Sequence, residues 1–238
     1  MAGTTAVILA AGIGSRLAPL TDTIPKCLVK VAGTSILHHQ VSSLHAAGIP
    51  RIVIVAGYRA EQVRAAASAG CIIVENSEFH ETNNMYSLAL AEQYVAGELI
   101  LLNGDVVFAR DILSDLLTSR YSNCIVTDVG RYIEESMKVA IRADGSVCQI
   151  AKTVSREYAF GTSIDLYRFS ERTVEMLFRL VHGYLQMNDR KKWTEVAIND
   201  LVKGTAVYPV DVAGRSWVEI DNPSDLEEAE AIWSQTAF

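Results

Sequence analysis

The stretch TAVILAAGIGSRLAPLTDTIPK, residues 5–26, starts as an apolar run and continues as a glycine-rich loop. Residues 5–11 are β-rich and continuously apolar, which predicts a strand buried on both faces. The loop holds Gly12, Gly14, Arg16 and Lys26, but few side chains that could pack in a core. Backbone N–H groups beside glycines can approach an anion closely, and Arg16 and Lys26 add two positive charges. The loop is therefore a candidate site for a triphosphate.

Two well-known phosphate-binding motifs do not match this loop. A dinucleotide fingerprint needs a third glycine where Leu17 stands, and an acidic residue after the second strand, where the sequence reads IVAGYR. A P-loop needs a lysine directly after its second glycine, but Gly14 is followed by Ser15 and Arg16. The alternative to a triphosphate site is an ordinary surface loop with a solvated Arg16 and Lys26.

Strands and helices alternate through the first half of the chain. We expect strands at 51–57, 71–75 and 98–105 and helices at 35–48, 59–70 and 85–95, with Thr34 as a candidate N-cap of the first helix. This order predicts an α/β fold with a Rossmann-like, mostly parallel sheet flanked by helices. Ligands of such sheets bind beyond the carboxyl ends of the strands.

The second half has a different pattern. Two short strands around Asp144-Gly145, within residues 137–152, predict a hairpin and hence a small antiparallel, lid-like excursion. Beyond it we expect strands at 160–169, 206–212 and 216–220 and helices at about 171–187, 194–203 and 223–233, the last capped by Asn222. Because there is no internal repeat or linker-like segment, residues 1–238 are interpreted as a single domain.

Composition excludes several classes of protein. The chain has 238 residues, is 50% apolar and carries a formal net charge of −7, so it can bury a large core but has no basic excess for nucleic acid. Its four cysteines include no C-x-x-C pair, which argues against a disulfide framework or thiolate metal site. No apolar run approaches the roughly 18 residues that span a bilayer. We therefore expect a cytoplasmic protein without membrane or nucleic-acid partners.

The sequence LAAGIGSRLAPLTDTIPKCLVKVAG, residues 9–33, resembles the signature L-A-A-G-x-G-[ST]-R-L-x-P-L-T-x-x-x-P-K of sugar-phosphate nucleotidylyltransferases. Further matches are ETNNMYSLALA (81–91), LLNGDVVF (101–108) and WVEIDNPSDLEEA (217–229). Together they are similar to the branch typified by phosphocholine cytidylyltransferases, nearly end to end. That branch also includes inositol-phosphate and aminoethylphosphonate cytidylyltransferases.

The resemblance implies a Mg²⁺-dependent reaction in which a phosphorus oxyanion attacks the α-phosphorus of CTP and pyrophosphate leaves. It implies that Arg16 holds the leaving β,γ-phosphates and that Lys26 lies against the α-phosphate. Asp105 and Asp221 match the family's pair of metal carboxylates. Attack of one anion on another depends on positioning and charge, which is consistent with the lack of a recognisable protein nucleophile.

The resemblance also divides the chain into a nucleotide-binding part, about 1–130, and an acceptor-binding part, about 131–238. The expected nucleotide-binding residues are Ala10, Ala11, Gly12, Gly14, Asn83, Asn84 and Ser87. The asparagines have donors and acceptors for cytosine, although Asn84 could instead cap a helix. The expected acceptor-binding residues are Lys152, which matches the lysine that approaches the acceptor's phosphate in this branch, and Tyr158, Trp193 and Glu195, because an aromatic ring beside a carboxylate suits an ammonium group.

The predicted partners are therefore CTP and a small acceptor of the phosphocholine or 2-aminoethylphosphonate type, with a CDP- or CMP-linked product, and the protein is expected to be a monomer or homodimer. A sugar-1-phosphate uridylyl- or thymidylyltransferase is the main alternative. A non-catalytic nucleotide-binding regulatory module is a more remote one. Lys138 is either a solvated strand residue or part of the acceptor site.

Overall fold

The computed structural model describes residues 3–234, which form thirteen β-strands and seven α-helices. The strands are β1 (Thr4–Ala10), β2 (Lys30–Val31), β3 (Thr34–Ser35), β4 (Arg51–Ala56), β5 (Ile72–Glu75), β6 (Glu98–Asn103), β7 (Val106–Phe108), β8 (Cys124–Val129), β9 (Lys138–Ile141), β10 (Val147–Ala151), β11 (Gly161–Phe169), β12 (Tyr208–Asp211) and β13 (Trp217–Glu219). The helices are α1 (Ile36–Ala46), α2 (Ala60–Ala66), α3 (Asn84–Ala91), α4 (Arg110–Thr118), α5 (Glu171–Gln186), α6 (Thr194–Gly204) and α7 (Pro223–Trp233).

A nine-stranded sheet organises the molecule, with the order β10-β9-β11-β6-β1-β4-β5 and with β8 between β11 and β12. Strands β6, β1, β4 and β5 are parallel, as the alternating pattern predicts. The predicted hairpin is present as the antiparallel pair β9–β10, and β11 runs antiparallel to β6, β8 and β9. The predicted α/β fold, with a mostly parallel sheet and an antiparallel excursion, is confirmed.

The central strand β1 is buried on both faces because helices cover both sides of the sheet. Ala6 and Ile8 pack into the apolar cluster that includes residues of α1 and α4, whereas Val7 and Leu9 pack into the cluster that includes residues of α3, α5 and α6. Alternate residues of a strand point to opposite faces, so a continuous apolar run can be buried completely only in such a layered fold. The end of β1 is thereby held rigidly beneath the glycine-rich loop.

Several local predictions differ from the structure. The N-cap of α1 is Ser35 rather than Thr34, since the Ser35 side chain accepts a hydrogen bond from the His38 N–H at 3.2 Å. The helix expected over 59–70 ends at Ala66. The sequence pattern predicts no element over 106–136, where the structure has β7, α4 and β8. Asn222 does cap α7, and Asp225 completes a capping box with it.

The pairing of β7 with β13 brings the middle of the chain beside its end. Val106 lies opposite Glu219 in this antiparallel pair, and the Ile220 N–H donates to the Asp105 carbonyl at 2.9 Å. Residues far apart in sequence are therefore neighbours at the carboxyl end of β6. Among residues 3–234, no helix is both long and apolar enough to cross a bilayer.

Candidate active site

A cavity of about 370 Å³ lies at the carboxyl ends of β1 and β6. Most of the site residues predicted from sequence line it: Ala10, Ala11, Gly12, Gly14, Arg16, Lys26, Asn83, Asn84, Ser87, Asp105, Lys152, Trp193, Glu195 and Asp221. Tyr158 does not line this cavity and is 71% exposed. The structure adds polar lining residues that sequence analysis did not single out, among them Asn103, Asp165 and Glu219.

The glycine-rich loop is shaped around the stem of Lys26. Gly14 has φ 71°, in the left-handed region, and a Cβ on it would lie 2.8 Å from the Lys26 Cβ. Glycine is therefore required both by the backbone and by the close approach of the lysine. The Thr21 hydroxyl donates to the Gly14 carbonyl at 2.9 Å, and Leu17 is fully buried, so both halves of the loop are anchored.

Lys26 joins the two carboxylates that the sequence places at strand ends. Its Nζ donates to Asp105 Oδ2 and to Asp221 Oδ1, both at 2.6 Å, and Arg16 lies 2.8 Å from the same oxygen of Asp221. Burial alone would lower the pKa of Lys26, but the two carboxylates outweigh it and the pKa is raised. Burial likewise opposes ionisation of Asp221, yet Lys26 and Arg16 lower its pKa. Both groups are therefore charged at neutral pH.

A third carboxylate completes this cluster. One ligand atom each from Asp105, Glu219 and Asp221 lies within 4.8 Å of the others. The Asp105 Oδ1 atom is buried and has no hydrogen-bond partner among residues 3–234. Burial and then the charges of neighbouring carboxylates, Asp165 first, raise the pKa of Glu219 to about 9. Three carboxylates with an unpartnered buried oxygen fit a hard divalent cation, which takes oxygen ligands.

Glu219 was missed in the sequence although a signal for it exists. It is the last residue of β13 and stands two residues before Asp221 in the segment VEID, so a second carboxylate at the same strand end is the signal.

The asparagines near the start of α3 have different roles in the structure. The Asn83 side chain occupies the N-cap of α3, where its Oδ1 accepts the Asn84 N–H at 2.8 Å. The Asn84 Oδ1 accepts the Thr194 N–H at 2.8 Å, so Asn84 binds the first turn of α6 rather than capping α3. Its Nδ2 amino group lies 3.5 Å from the Asn103 Oδ1 and also donates to the Glu195 carboxylate. Ser87 is buried and accepts from the Asn76 amide at 3.1 Å.

A buried acidic group forms one side of the cavity. Asp165 lies at an irregularity of β11, between its pairing with β9 and its pairing with β6, and has φ 56°. Its carboxylate accepts from the Tyr167 hydroxyl and from the Asn103 amide, both at 2.8 Å. The same Tyr167 oxygen is 3.3 Å from Glu195 Oε1. A single hydroxyl proton can serve only one of the two carboxylates.

This arrangement makes stability depend on pH. Burial, followed by the charge of Glu195, raises the pKa of Asp165 from 3.8 to about 8, and burial also raises the pKa of Glu195. The folded protein then binds more protons than the unfolded chain, so its free energy of unfolding should fall as the pH rises from about 4 to about 8. In Asp165→Asn this decline should be shallower, as measured by urea unfolding across that range. Parallel profiles for the two proteins would contradict the assignment.

The two lysines considered for the acceptor site, Lys152 and Lys138, lie in different surroundings. The Lys152 ammonium is 4.9 Å from the centre of the Trp193 ring, a cation–π contact at the rim of the cavity, and the Trp193 side chain is 44% exposed. Lys138 is fully buried and donates to the Glu134 carbonyl at 2.7 Å, so its interpretation as a solvated strand residue is wrong. Lys138 is not among the residues that line the cavity.

Comparison with known proteins gives the family. Residues 6–135 match the model of the MobA-like NTP transferase domain, which is more than half of the chain. The chain belongs to the MobA-like NTP transferase family. The matched segment contains the glycine-rich loop, Lys26, the asparagines of α3 and Asp105. The predicted nucleotidyltransferase family is confirmed.

Relatives extend the likeness over the rest of the chain. A bifunctional IPC transferase and DIPP synthase of Aquifex aeolicus is 30% identical over 98% of this chain, but the chain spans only 53% of that protein. A 2-aminoethylphosphonate cytidylyltransferase of Lancefieldella rimae is 28% identical over 94% of this chain and 90% of its own. The solved CTP:phosphocholine cytidylyltransferase of Streptococcus pneumoniae superposes with a TM-score of 0.81 at 23% identity, covering 97% and 99% of the two chains.

Proposed function

We propose that the protein transfers the cytidylyl group of CTP to a small phosphorylated or phosphonate acceptor. An oxyanion of the acceptor's phosphorus group attacks the α-phosphorus of CTP, the bond to the bridging oxygen of the β-phosphate breaks, and pyrophosphate leaves. The observation that carries the proposal is the position of the Lys26 ammonium between Asp105 and Asp221 at the mouth of the glycine-rich loop. The cations Arg16 and Lys26 and the backbone N–H donors of this loop can offset the negative charge of a triphosphate.

The carboxylate cluster suits Mg²⁺, which we propose as the cofactor held by Asp105, Glu219 and Asp221. When bound, the ion offsets negative charge on the phosphates. Side chains of the protein itself bind and orient the phosphates. Arg16 is anchored at Asp221, but 63% of its side chain is exposed, so it can turn toward the β,γ-phosphates. Lys26 can replace one of its two carboxylate contacts with a contact to the α-phosphate of CTP. Negative charge develops on that phosphate during the reaction, and the ammonium would stabilise it.

The cytosine preference is supported by the amide groups around the base side of the cavity. Cytosine presents one amino donor beside a ring-nitrogen and a carbonyl acceptor. Because the Asn84 oxygen accepts the Thr194 N–H, this residue can offer the base only its amino group, which would exchange its long contact with Asn103 for a base acceptor. The relatives that act on CTP by name, including the Streptococcus pneumoniae enzyme, support the same choice.

The acceptor side favours a zwitterion. Lys152 at the rim can bind a phosphate or phosphonate, and a cationic end beside Asp165 and Glu195 would favour the ionised forms that burial disfavours. A neutral sugar would be bound through hydrogen bonds to its hydroxyls and has no positive charge to place beside these acidic groups. We therefore place phosphocholine and 2-aminoethylphosphonate ahead of sugar 1-phosphates.

A substrate screen tests this proposal directly. Pyrophosphate release would be measured with CTP, UTP, ATP and dTTP against phosphocholine, 2-aminoethylphosphonate, inositol 1-phosphate and glucose 1-phosphate, in the presence of Mg²⁺. The highest kcat/KM is expected for CTP with one of the two zwitterions. A higher kcat/KM for glucose 1-phosphate with UTP or dTTP would overturn both the base and the acceptor assignment.

A substitution separates the acceptor contact from the nucleotide contact. Glu195→Gln should raise the acceptor KM by about tenfold and leave the KM for CTP nearly unchanged, because one charge-assisted contact to the acceptor is lost. Asp200→Asn is the matched control: it removes a carboxylate from the same helix, and Asp200 does not line the cavity. An equal rise in both KM values, or an equal effect of the control, would exclude Glu195 from the acceptor site.

A further inference from the structure

Gln40 lies in α1 beneath the turn that carries Asp105, and it is 1% exposed. Its Nε2 donates to the Asn103 carbonyl at 2.8 Å and to the Val106 carbonyl at 2.9 Å. Gly104 and Asp105 stand between these two carbonyls in sequence. One amide group therefore bridges both ends of the turn and uses both of its N–H donors.

The other half of the Gln40 amide is not satisfied. Its Oε1 is buried and has no hydrogen-bond partner in the part of the chain that the structure describes. A buried, unpaired oxygen is unfavourable, and a methionine or leucine would fill similar space without one. Packing alone therefore does not account for a glutamine here, whereas its two donors do.

The remaining supports of the turn explain why its geometry matters. The Gly104 N–H donates to the Leu9 carbonyl at 2.9 Å, and a Cβ on Gly104 would lie 2.9 Å from that same oxygen. On the other side, the Asp105 carbonyl accepts the Ile220 N–H. The turn is thus held by β1, by the segment after β13 and, from below, by Gln40. Its position decides whether the Asp105 carboxylate reaches Asp221.

We propose that Gln40 is a positioning residue for the carboxylate cluster. By holding the Asn103 and Val106 carbonyls, it keeps Asp105 at the spacing at which it can share a divalent cation with Glu219 and Asp221. Groups that orient metal ligands from behind typically change metal affinity about 10- to 100-fold when removed. The inference rests on the proposed function, because it concerns the cation of the same site.

The test compares two variants of the same helix. Gln40→Met keeps the length of the side chain but loses both donors, while Ser43→Ala removes a buried hydroxyl that donates to the His39 carbonyl and touches no part of the turn. Mn²⁺ binding to the wild type and to each variant would be measured by electron paramagnetic resonance without nucleotide. Gln40→Met should raise the Kd for Mn²⁺ by about tenfold or more, and Ser43→Ala should leave it unchanged. In assays of pyrophosphate release, Gln40→Met should need a higher Mg²⁺ concentration for its half-maximal rate than the wild type. Excess Mg²⁺ should restore most of its kcat.

The outcomes separate this inference from the proposed function. If the wild type binds Mn²⁺ and Gln40→Met binds it equally well, with only a lower Tm, Gln40 has a purely structural role and the inference is overturned. If the wild type binds no Mn²⁺ without nucleotide, the metal site of the carboxylate cluster and this inference are overturned, while the substrate screen decides cytidylyl transfer separately. Should Gln40→Met not fold, Gln40→Asn replaces it: the shorter amide keeps its donors but cannot span both carbonyls, and the same loss of affinity is expected.

Discussion

Lys26→Ala should lower kcat by about 10²-fold or more, the size of effect seen when one donor to a developing oxyanion is removed. The lysine is the one cation held by two carboxylates of the described cluster, Asp105 and Asp221, and it is only 13% exposed. In the proposed mechanism this buried ammonium binds the α-phosphate, and its effect is large because water does not screen it. Steady-state pyrophosphate release at saturating CTP and acceptor measures the change.

Loss of the same lysine should also alter stability in a metal-dependent way. Without Lys26, the carboxylates of Asp105, Glu219 and Asp221 face one another with only Arg16 as a counter-charge. The Tm of Lys26→Ala should therefore rise more on addition of Mg²⁺ than the Tm of the wild type, by mass action on the folded state. Lys30→Ala is the matched control, since Lys30 is exposed on β2. Near wild-type turnover in Lys26→Ala would remove Lys26 from the mechanism.

Asp105→Asn and Asp221→Asn should each lower kcat by about 10²-fold or more and raise the Mg²⁺ requirement, because each removes one charged ligand of the same cluster. The double substitution should cost far less than the product of the two single effects, since residues that act as a unit are not additive. The measurement is a double-mutant cycle on kcat with a Mg²⁺ titration of every variant.

A control variant tests whether loss of any carboxylate has this effect or only loss of one in the cluster. Asp111→Asn removes an exposed carboxylate of α4 and should leave both kcat and the Mg²⁺ requirement unchanged. Full activity of the wild type in excess EDTA would refute the metal assignment. Strictly additive effects of Asp105→Asn and Asp221→Asn would refute a shared ion.

Local patterns in the sequence were sufficient to predict the parallel part of the sheet and the loop that follows its central strand. A continuous apolar run at 5–11 predicts a doubly covered strand, and glycines followed by Arg16 and Lys26 predict a phosphate loop, because these properties depend on near neighbours in the chain. Strand ends also predicted where Asp105 and Asp221 would lie. The segment 106–136 was not assigned, although α4 has an apolar face formed by Ile112, Leu113 and Leu116.

The tertiary structure alone decided which polar groups share the cavity and what each can still bind. The Lys26–Asp221 contact joins residues 195 positions apart, and the Asn84–Thr194 contact joins residues 110 apart. Burial of Asp165 and Glu195 around one tyrosine hydroxyl, and the exposure of Tyr158, follow from strand pairing and helix packing that no local pattern specifies. Charge, pKa and hydrogen-bonding capacity depend on distance in space and on access of water, and both are set only when the sheet is assembled.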